Sequence, residues 1–172
     1  MPLATGDHGA RVTAAVAWLE SLCGDYAPVR RQFIAAYFRF AAGVIDAHRT
    51  ELLTRLQRYD GLYAPEDFLW SALRPLPRGW VPVGDRWLPA DLVFWDGVQP
   101  IAVELAARDT DRQRILLAAE VATLRIEPAE FDRLDAVLPH GLQQFWDGDT
   151  LPSSPFRRPI PQGVLTQPQA SE

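Results

Sequence analysis

The sequence predicts an α/β fold in which helices flank a small mixed β-sheet, with an added helical region at the N-terminus. The N-terminal region, residues 1–60, shows helical apolar spacing throughout. The middle region, residues 61–146, gives the order helix, three strands, helix, strand, which is typical of a mixed sheet with helices packed on it. Residues 147–172 are rich in proline, serine and glutamine, and this composition predicts an extended C-terminal tail.

The N-terminal region predicts two helices. The first covers residues 10–22, where valines and leucine recur at helical spacing. The second begins near Pro28, which suits a first turn, and Asp25 can cap it. We expect this helix to kink or run on near Gly43 and to end at Asp60-Gly61. Its apolar stripe consists of Phe33, Ala36, Tyr37, Phe40 and Val44.

The middle region combines short strands with short helices. Gly84-Asp85 is a turn dipeptide that can join two strands into a hairpin. Pro128 predicts the start of a last helix, and Pro139 predicts its end. In chain order, the predicted elements are a helix over 66–74, strands over 80–83, 86–94 and 101–105, a helix over 109–120, a strand over 122–126 and a helix over 128–138.

Two acidic residues stand in otherwise apolar strands. Asp91 lies in the predicted strand 86–94 and Glu104 in the next one, with a turn at Asp96-Gly97 between them. If the strands pair antiparallel, both acids come to neighbouring positions of the sheet. A buried acid is costly unless a cation or a metal ion balances its charge. Carboxylate oxygens suit Mg²⁺ or Mn²⁺ rather than zinc, so the pair is a candidate metal site.

The same acids also have a purely structural interpretation. Glu104 could instead pair with Arg112, Arg114 or Arg125 at the edge of the sheet. The sequence leaves both interpretations open.

Glu66 and Arg112 complete the set of candidate site residues. Glu66 precedes Leu69 by three positions, which places it on the helix face that turns toward the sheet, where it could be a further ligand. Its alternative role is to stabilise the first turn of its helix through the helix dipole. Arg112, in the helix after Glu104, could bind a phosphate group bidentately, or it could lie on a solvated helix face.

Five runs between Pro65 and Ile126 resemble the small PD-(D/E)XK nucleases related to very-short-patch-repair endonucleases. The runs are PEDFLWSALR, RWLPADLVFW, IAVEL, DRQRILL and ATLRI. The resemblance implies a restriction-endonuclease-like fold and DNA cleavage that depends on Mg²⁺ or Mn²⁺. It matches Asp91 and Glu104 with the two metal-binding acids, and Glu66 with the acid of the leading helix.

One position departs from that family pattern. Ala106 stands where the family carries lysine or a second acidic group, and all 17 basic residues of the chain are arginine. An alanine cannot orient water, donate a proton or bind a metal ion. The sequence therefore favours a catalytically impaired or inactive nuclease-like protein over an active endonuclease. A non-catalytic module that binds DNA or a protein partner, including a second copy of the chain, is the alternative.

Composition restricts the cellular setting and the partners. The formal net charge is −5, whereas strong nucleic-acid binders are usually basic. The single cysteine, Cys23, cannot form an internal disulfide and predicts a small buried side chain in a reducing cytoplasm. We recognise no secretion signal and no apolar run of the ~20 residues that a membrane span needs. We therefore expect a cytoplasmic protein without a membrane partner.

Overall fold

The computed structural model describes residues 8–24, 28–59, 62–70, 73–95, 99–105 and 110–143. Within these ranges the chain is a mixed α/β structure, as the sequence predicts. The α-helices are α1 His8–Ser21, α2 Pro28–Ala47, α3 Arg49–Leu56, α4 Thr110–Ala118 and α5 Leu134–Gln143. The strands are β1 Leu76–Pro77, β2 Trp80–Val83, β3 Arg86–Pro89, β4 Leu92–Trp95, β5 Pro100–Leu105 and β6 Ala122–Ile126. Short 3-10 helices cover Gln57–Tyr59, Pro65–Trp70 and Pro128–Arg133.

The main sheet has the strand order β1-β4-β5-β6. Strands β4 and β5 pair antiparallel, with Leu92 opposite Val103, whereas β5 and β6 pair parallel through the crossover helix α4. Glu104 lies opposite Arg125 in the parallel pair. The sheet is therefore mixed. Of its two central strands, β4 begins directly after Asp91 and β5 contains Glu104.

The strands from β1 to β4 form one long hairpin that bends in its middle. Pairing of β2 with β3 places Trp80 opposite Pro89, and the same offset continues in the pairing of β1 with β4. At the bend, the N–H of Arg78 donates to the carbonyl of Asp91 at 2.9 Å, and that of Ala90 donates to Gly79 at 2.9 Å. Arg78 has a φ of 54° there, an uncommon conformation for a residue other than glycine.

Each face of the sheet has its own core. Alternation along β5 sends Ile101, Val103 and Leu105 into the larger cluster, which they share with α1, α2, α3 and α5. Ala102 points the other way and packs with the inner face of the β2–β3 hairpin and with Leu116 of α4. The N-terminal helices thus share the larger of the two cores with the sheet.

The structure decides between the two courses that the sequence leaves open for the second helix. The helix runs on past Gly43 to Ala47, and the chain breaks only at His48, before α3 begins. The predicted end of the last helix at Pro139 is wrong, because α5 contains this proline and continues to Gln143. Leu138 and Leu142 are fully buried on either side of Pro139, and their burial offsets the lost backbone hydrogen bond.

Other elements differ from the prediction in type or extent. The predicted helix over 66–74 is a 3-10 helix, Pro65–Trp70, and residues 71 and 72 lie outside the described part. The predicted strand over 86–94 is divided into β3 and β4 by the hairpin bend. Strand β1 was not predicted because its two residues include Pro77, which only an edge strand tolerates. The predicted tail, residues 147–172, lies outside the described residues.

Candidate functional site

The two candidate acids lie where their strands pair. Extending the β4–β5 register by one position beyond Leu92 and Val103 places Asp91 across from Glu104. Asp91 is the residue before β4, at the hairpin bend, and Glu104 is the penultimate residue of β5. The antiparallel arrangement that the sequence predicts for these strands is therefore present.

Arg112 holds the carboxylate of Glu104. The side chain of Glu104 is 1% exposed and is the one buried charged residue among those described. Arg112 of α4 donates from Nε to Oε2 at 2.9 Å and from Nη2 to both oxygens at 2.5 Å. Such a fork of charge-assisted hydrogen bonds balances a buried carboxylate, and without it the burial would be costly. The sequence leaves Arg112, Arg114 and Arg125 as possible partners of Glu104, and Arg112 is the one that forms these hydrogen bonds.

Arg30 and a backbone amide hold the carboxylate of Asp91. Arg30 of α2 donates to Oδ1 from Nη2 at 2.7 Å and from Nε at 3.1 Å. The backbone N–H of Leu105 donates to Oδ2 at 2.9 Å. The pair is largely shielded, since the side chains of Arg30 and Asp91 are 28% and 18% exposed. Asp91 therefore connects α2, the end of β5 and the hairpin bend.

The two arginines come from opposite layers of the molecule. Helix α2 packs on the face of the sheet that contains Phe94, and its Phe33 and Tyr37 rings contact that residue. Helix α4 packs on the other face through Leu116. The acid pair is therefore bound from both sides of the sheet, and each negative charge has its own guanidinium group.

Glu66 pairs with an arginine of the N-terminal helices. Its Oε1 accepts from Nη2 of Arg49, in α3, at 2.5 Å, and Arg49 also binds Asp46. These hydrogen bonds, that of Glu66 above all, raise the pKa of the Arg49 guanidinium. Since both side chains are more than a third exposed, this ion pair is a surface contact of small energetic weight.

The contacts of the described residues suit arginine better than a divalent cation. A metal ion between Asp91 and Glu104 would have to displace hydrogen bonds from Arg30, Arg112 and the Leu105 amide, and it would face two guanidinium charges. Among the described residues no group of three or more histidine, cysteine, aspartate or glutamate side chains is arranged to hold a metal ion. Mg²⁺ or Mn²⁺ at this pair stays a prediction. Ala106 lies outside the described residues.

Sequence reasoning missed the role of Arg30. Arg30, however, precedes Phe33 and Ile34 by three and four positions, which is the spacing that puts residues on one helix face. Both of those residues are fully buried. An arginine at the edge of a buried stripe was the signal that it has an internal acidic partner.

No protein-family model, curated protein or solved structure matches this chain. None of the helices in the described ranges is both long enough and apolar enough to cross a membrane.

Proposed function

We propose that this chain is a non-catalytic binding module built on a nuclease-like α/β scaffold, in which Asp91 and Glu104 serve as structural anchors. One observation carries the proposal: arginines from two different helices, together with one backbone amide, hold both carboxylates. A carboxylate held in this way stabilises the packing of α2 and α4 on the sheet. Both oxygens of each carboxylate already accept hydrogen bonds from donors of the protein itself.

An exposed apolar surface supports a binding role. The outer face of the β2–β3 hairpin carries Trp80 opposite Pro89 and Pro82 opposite Trp87, and all four residues are exposed. The two tryptophans are 58% and 62% exposed. Aromatic side chains are enriched at protein interfaces, and none of these four side chains carries a charge that would favour a polyanion. A protein partner or a second copy of the chain therefore fits this face better than DNA does.

The test of the proposal combines cleavage with metal binding. Purified protein is incubated with plasmid and with single-stranded DNA in Mg²⁺ or Mn²⁺, and each metal is titrated calorimetrically into the wild type and Asp91→Asn. Asp111→Asn is the control, because Asp111 is an exposed acid on α4. We expect no cleavage, and no metal binding that depends on Asp91. Cleavage abolished by Glu104→Gln, or tight metal binding abolished by Asp91→Asn alone, would remove the proposal.

A Mg²⁺-dependent DNA endonuclease is the second candidate function. The observation in its favour is the register of β4 and β5, which sets Asp91 across from Glu104 as the family resemblance implies. For this candidate the same acids must release their arginines on binding a metal ion. The cleavage and calorimetry experiments distinguish the two candidates, since only the endonuclease requires the charge on Asp91 for metal binding.

A further inference from the structure

An apolar groove lies along the C-terminal half of α2, away from the acid pair. It has a volume of about 390 Å³ and is lined by Phe40, Gly43, Val44, Ala47 and His48. A Cβ atom added at Gly43 would have no neighbour within 4 Å. No close packing therefore requires a glycine at this position, and the absence of a side chain there widens the groove. The volume is more than ten times the ~30 Å³ share of one water molecule, which leaves room for large side chains.

Helix α5 leads the chain to this groove. The amide of Gln32 donates to the carbonyl of Phe131 at 3.1 Å, and Arg39 pairs with Asp135 at 3.2 Å. Phe131 lies in the 3-10 helix that leads into α5, and Asp135 lies in the first turn of α5, so the chain enters α5 in the direction in which α2 runs. At a rise of ~1.5 Å per residue, the end of α5 is level with the end of α2 near Ala47. The described chain therefore ends level with the groove along α2.

Two aromatic residues follow soon after α5 in the sequence. The sequence continues after Gln143 with Gln144, Phe145 and Trp146. A chain covers at most ~3.6 Å per residue, so these two aromatic residues can reach only the immediate neighbourhood of the helix end. The lining is mostly apolar, with phenylalanine, valine and alanine side chains around a glycine and His48 as its one polar member, and such a lining suits an aromatic ring.

We propose that the groove on α2 is the binding site for Phe145 and Trp146 of the same chain. Their docking covers the exposed positions Gly43 and Ala47 of α2. It also occupies an apolar surface that a separate partner would otherwise use. The inference is independent of the proposed function, because it concerns neither the acid pair nor the hairpin face.

The experiment measures access to residues 145 and 146 in the full chain. Chymotrypsin cuts after aromatic residues, and mass spectrometry follows cleavage after Phe145 and Trp146 over time. Gly43→Leu fills the groove, whereas Ala42→Leu adds the same side chain at the neighbouring exposed position, which is not among the groove residues. We expect slow cleavage in the wild type and in Ala42→Leu. In Gly43→Leu we expect it to be roughly ten-fold faster, as the open state becomes the main one.

Three results would overturn the proposal. The first is rapid cleavage after both aromatic residues in the wild type. The second is protection that Gly43→Leu leaves unchanged, which would mean that something other than the groove covers these residues. The third is protection that disappears on dilution of the protein, which would assign the groove to a second copy. If Gly43→Leu does not fold, Ala47→Leu fills the same groove from the exposed end of α2 and is read in the same way.

Discussion

Replacing Arg112 with methionine tests the structural role of the acid pair directly. The variant keeps the apolar stem of the side chain but leaves Glu104, which is 1% exposed, without its guanidinium partner. Breaking a buried ion pair in this way costs about 3–5 kcal/mol. Protonation sets a ceiling on that cost, because an ordinary glutamic acid with a pKa near 4.3 can be neutralised at pH 7 for about 3.7 kcal/mol. We therefore expect a loss of roughly 3–3.7 kcal/mol in the free energy of unfolding at pH 7.

The same reasoning predicts how the loss varies with pH. Without Arg112, the folded state favours the protonated form of Glu104, so the folded protein binds a proton more tightly than the unfolded chain does. The deficit of the variant relative to wild type must then shrink as pH falls, to about 1 kcal/mol at pH 5. Urea unfolding followed by far-ultraviolet circular dichroism at both pH values measures it.

Two further variants make the measurement decisive. Arg114→Met is the matched control, since Arg114 lies in the same helix and pairs with Asp111 while both are more than three-quarters exposed. It should change stability by less than about 0.5 kcal/mol. The double variant Glu104→Met, Arg112→Met should be within about 1 kcal/mol of wild type, because no uncompensated charge remains. Equal effects of Arg112→Met and Arg114→Met, or a deficit that does not change with pH, would refute the reasoning.

Three other perturbations have defined outcomes. Gly79→Ala should destabilise the fold by about 1–3 kcal/mol, because its Cβ would lie 2.5 Å from Cγ2 of Val93. The second substitution Val93→Ala should recover much of this loss in the same urea assay. A Gly79→Ala variant as stable as wild type would contradict the close approach. Cys23 should react with a thiol reagent at pH 8 only after denaturation, since burial raises the pKa of its thiol. The free energy of unfolding should fall as pH rises above about 8.5, because the thiol of the unfolded chain ionises first. Rapid labelling of the native protein would contradict the burial of Cys23. Arg30→Met should cost about 1–3 kcal/mol, because Asp91 keeps some access to water, and a smaller thermal shift than that of the exposed-pair control would show that the ion pair has no structural weight.

The parts of the fold that follow from local signals could be predicted from the sequence. Strand β6 has the predicted bounds, and the β2–β3 hairpin closes at Gly84, whose φ of +60° is a conformation that glycine adopts at little cost. The bend that divides β3 from β4 could not be predicted, because it depends on how the hairpin packs over the second face of the sheet. The continuation of α5 past Pro139 likewise depends on tertiary burial of its leucines.

The candidate site shows the same division between local and distant information. Arg112 is eight residues from Glu104, so sequence proximity made it one of a few possible partners. Arg30 is 61 residues from Asp91, and no spacing rule connects the two. Their place in apolar strands identified the two acids, and it left Arg112 among the possible partners of Glu104, but it did not identify Arg30. Only the packing of α2 against the sheet brings Arg30 to the bend.

The position of Asp91 explains why an acid there does not by itself indicate a metal site. At the bend of the hairpin its carbonyl accepts from Arg78, while its carboxylate accepts from Arg30 and from the amide of Leu105. A single aspartate thus satisfies donors from the hairpin, from α2 and from the end of β5. Glu104, directly across, accepts from the guanidinium group of Arg112, which α4 brings to the buried face. Two acids on neighbouring strands are what a metal site requires, and they are equally what two helices need when each presents an arginine to one sheet. The discriminating feature is therefore the origin of the cations that face the acids, and in this chain the described cations are guanidinium groups of the protein itself.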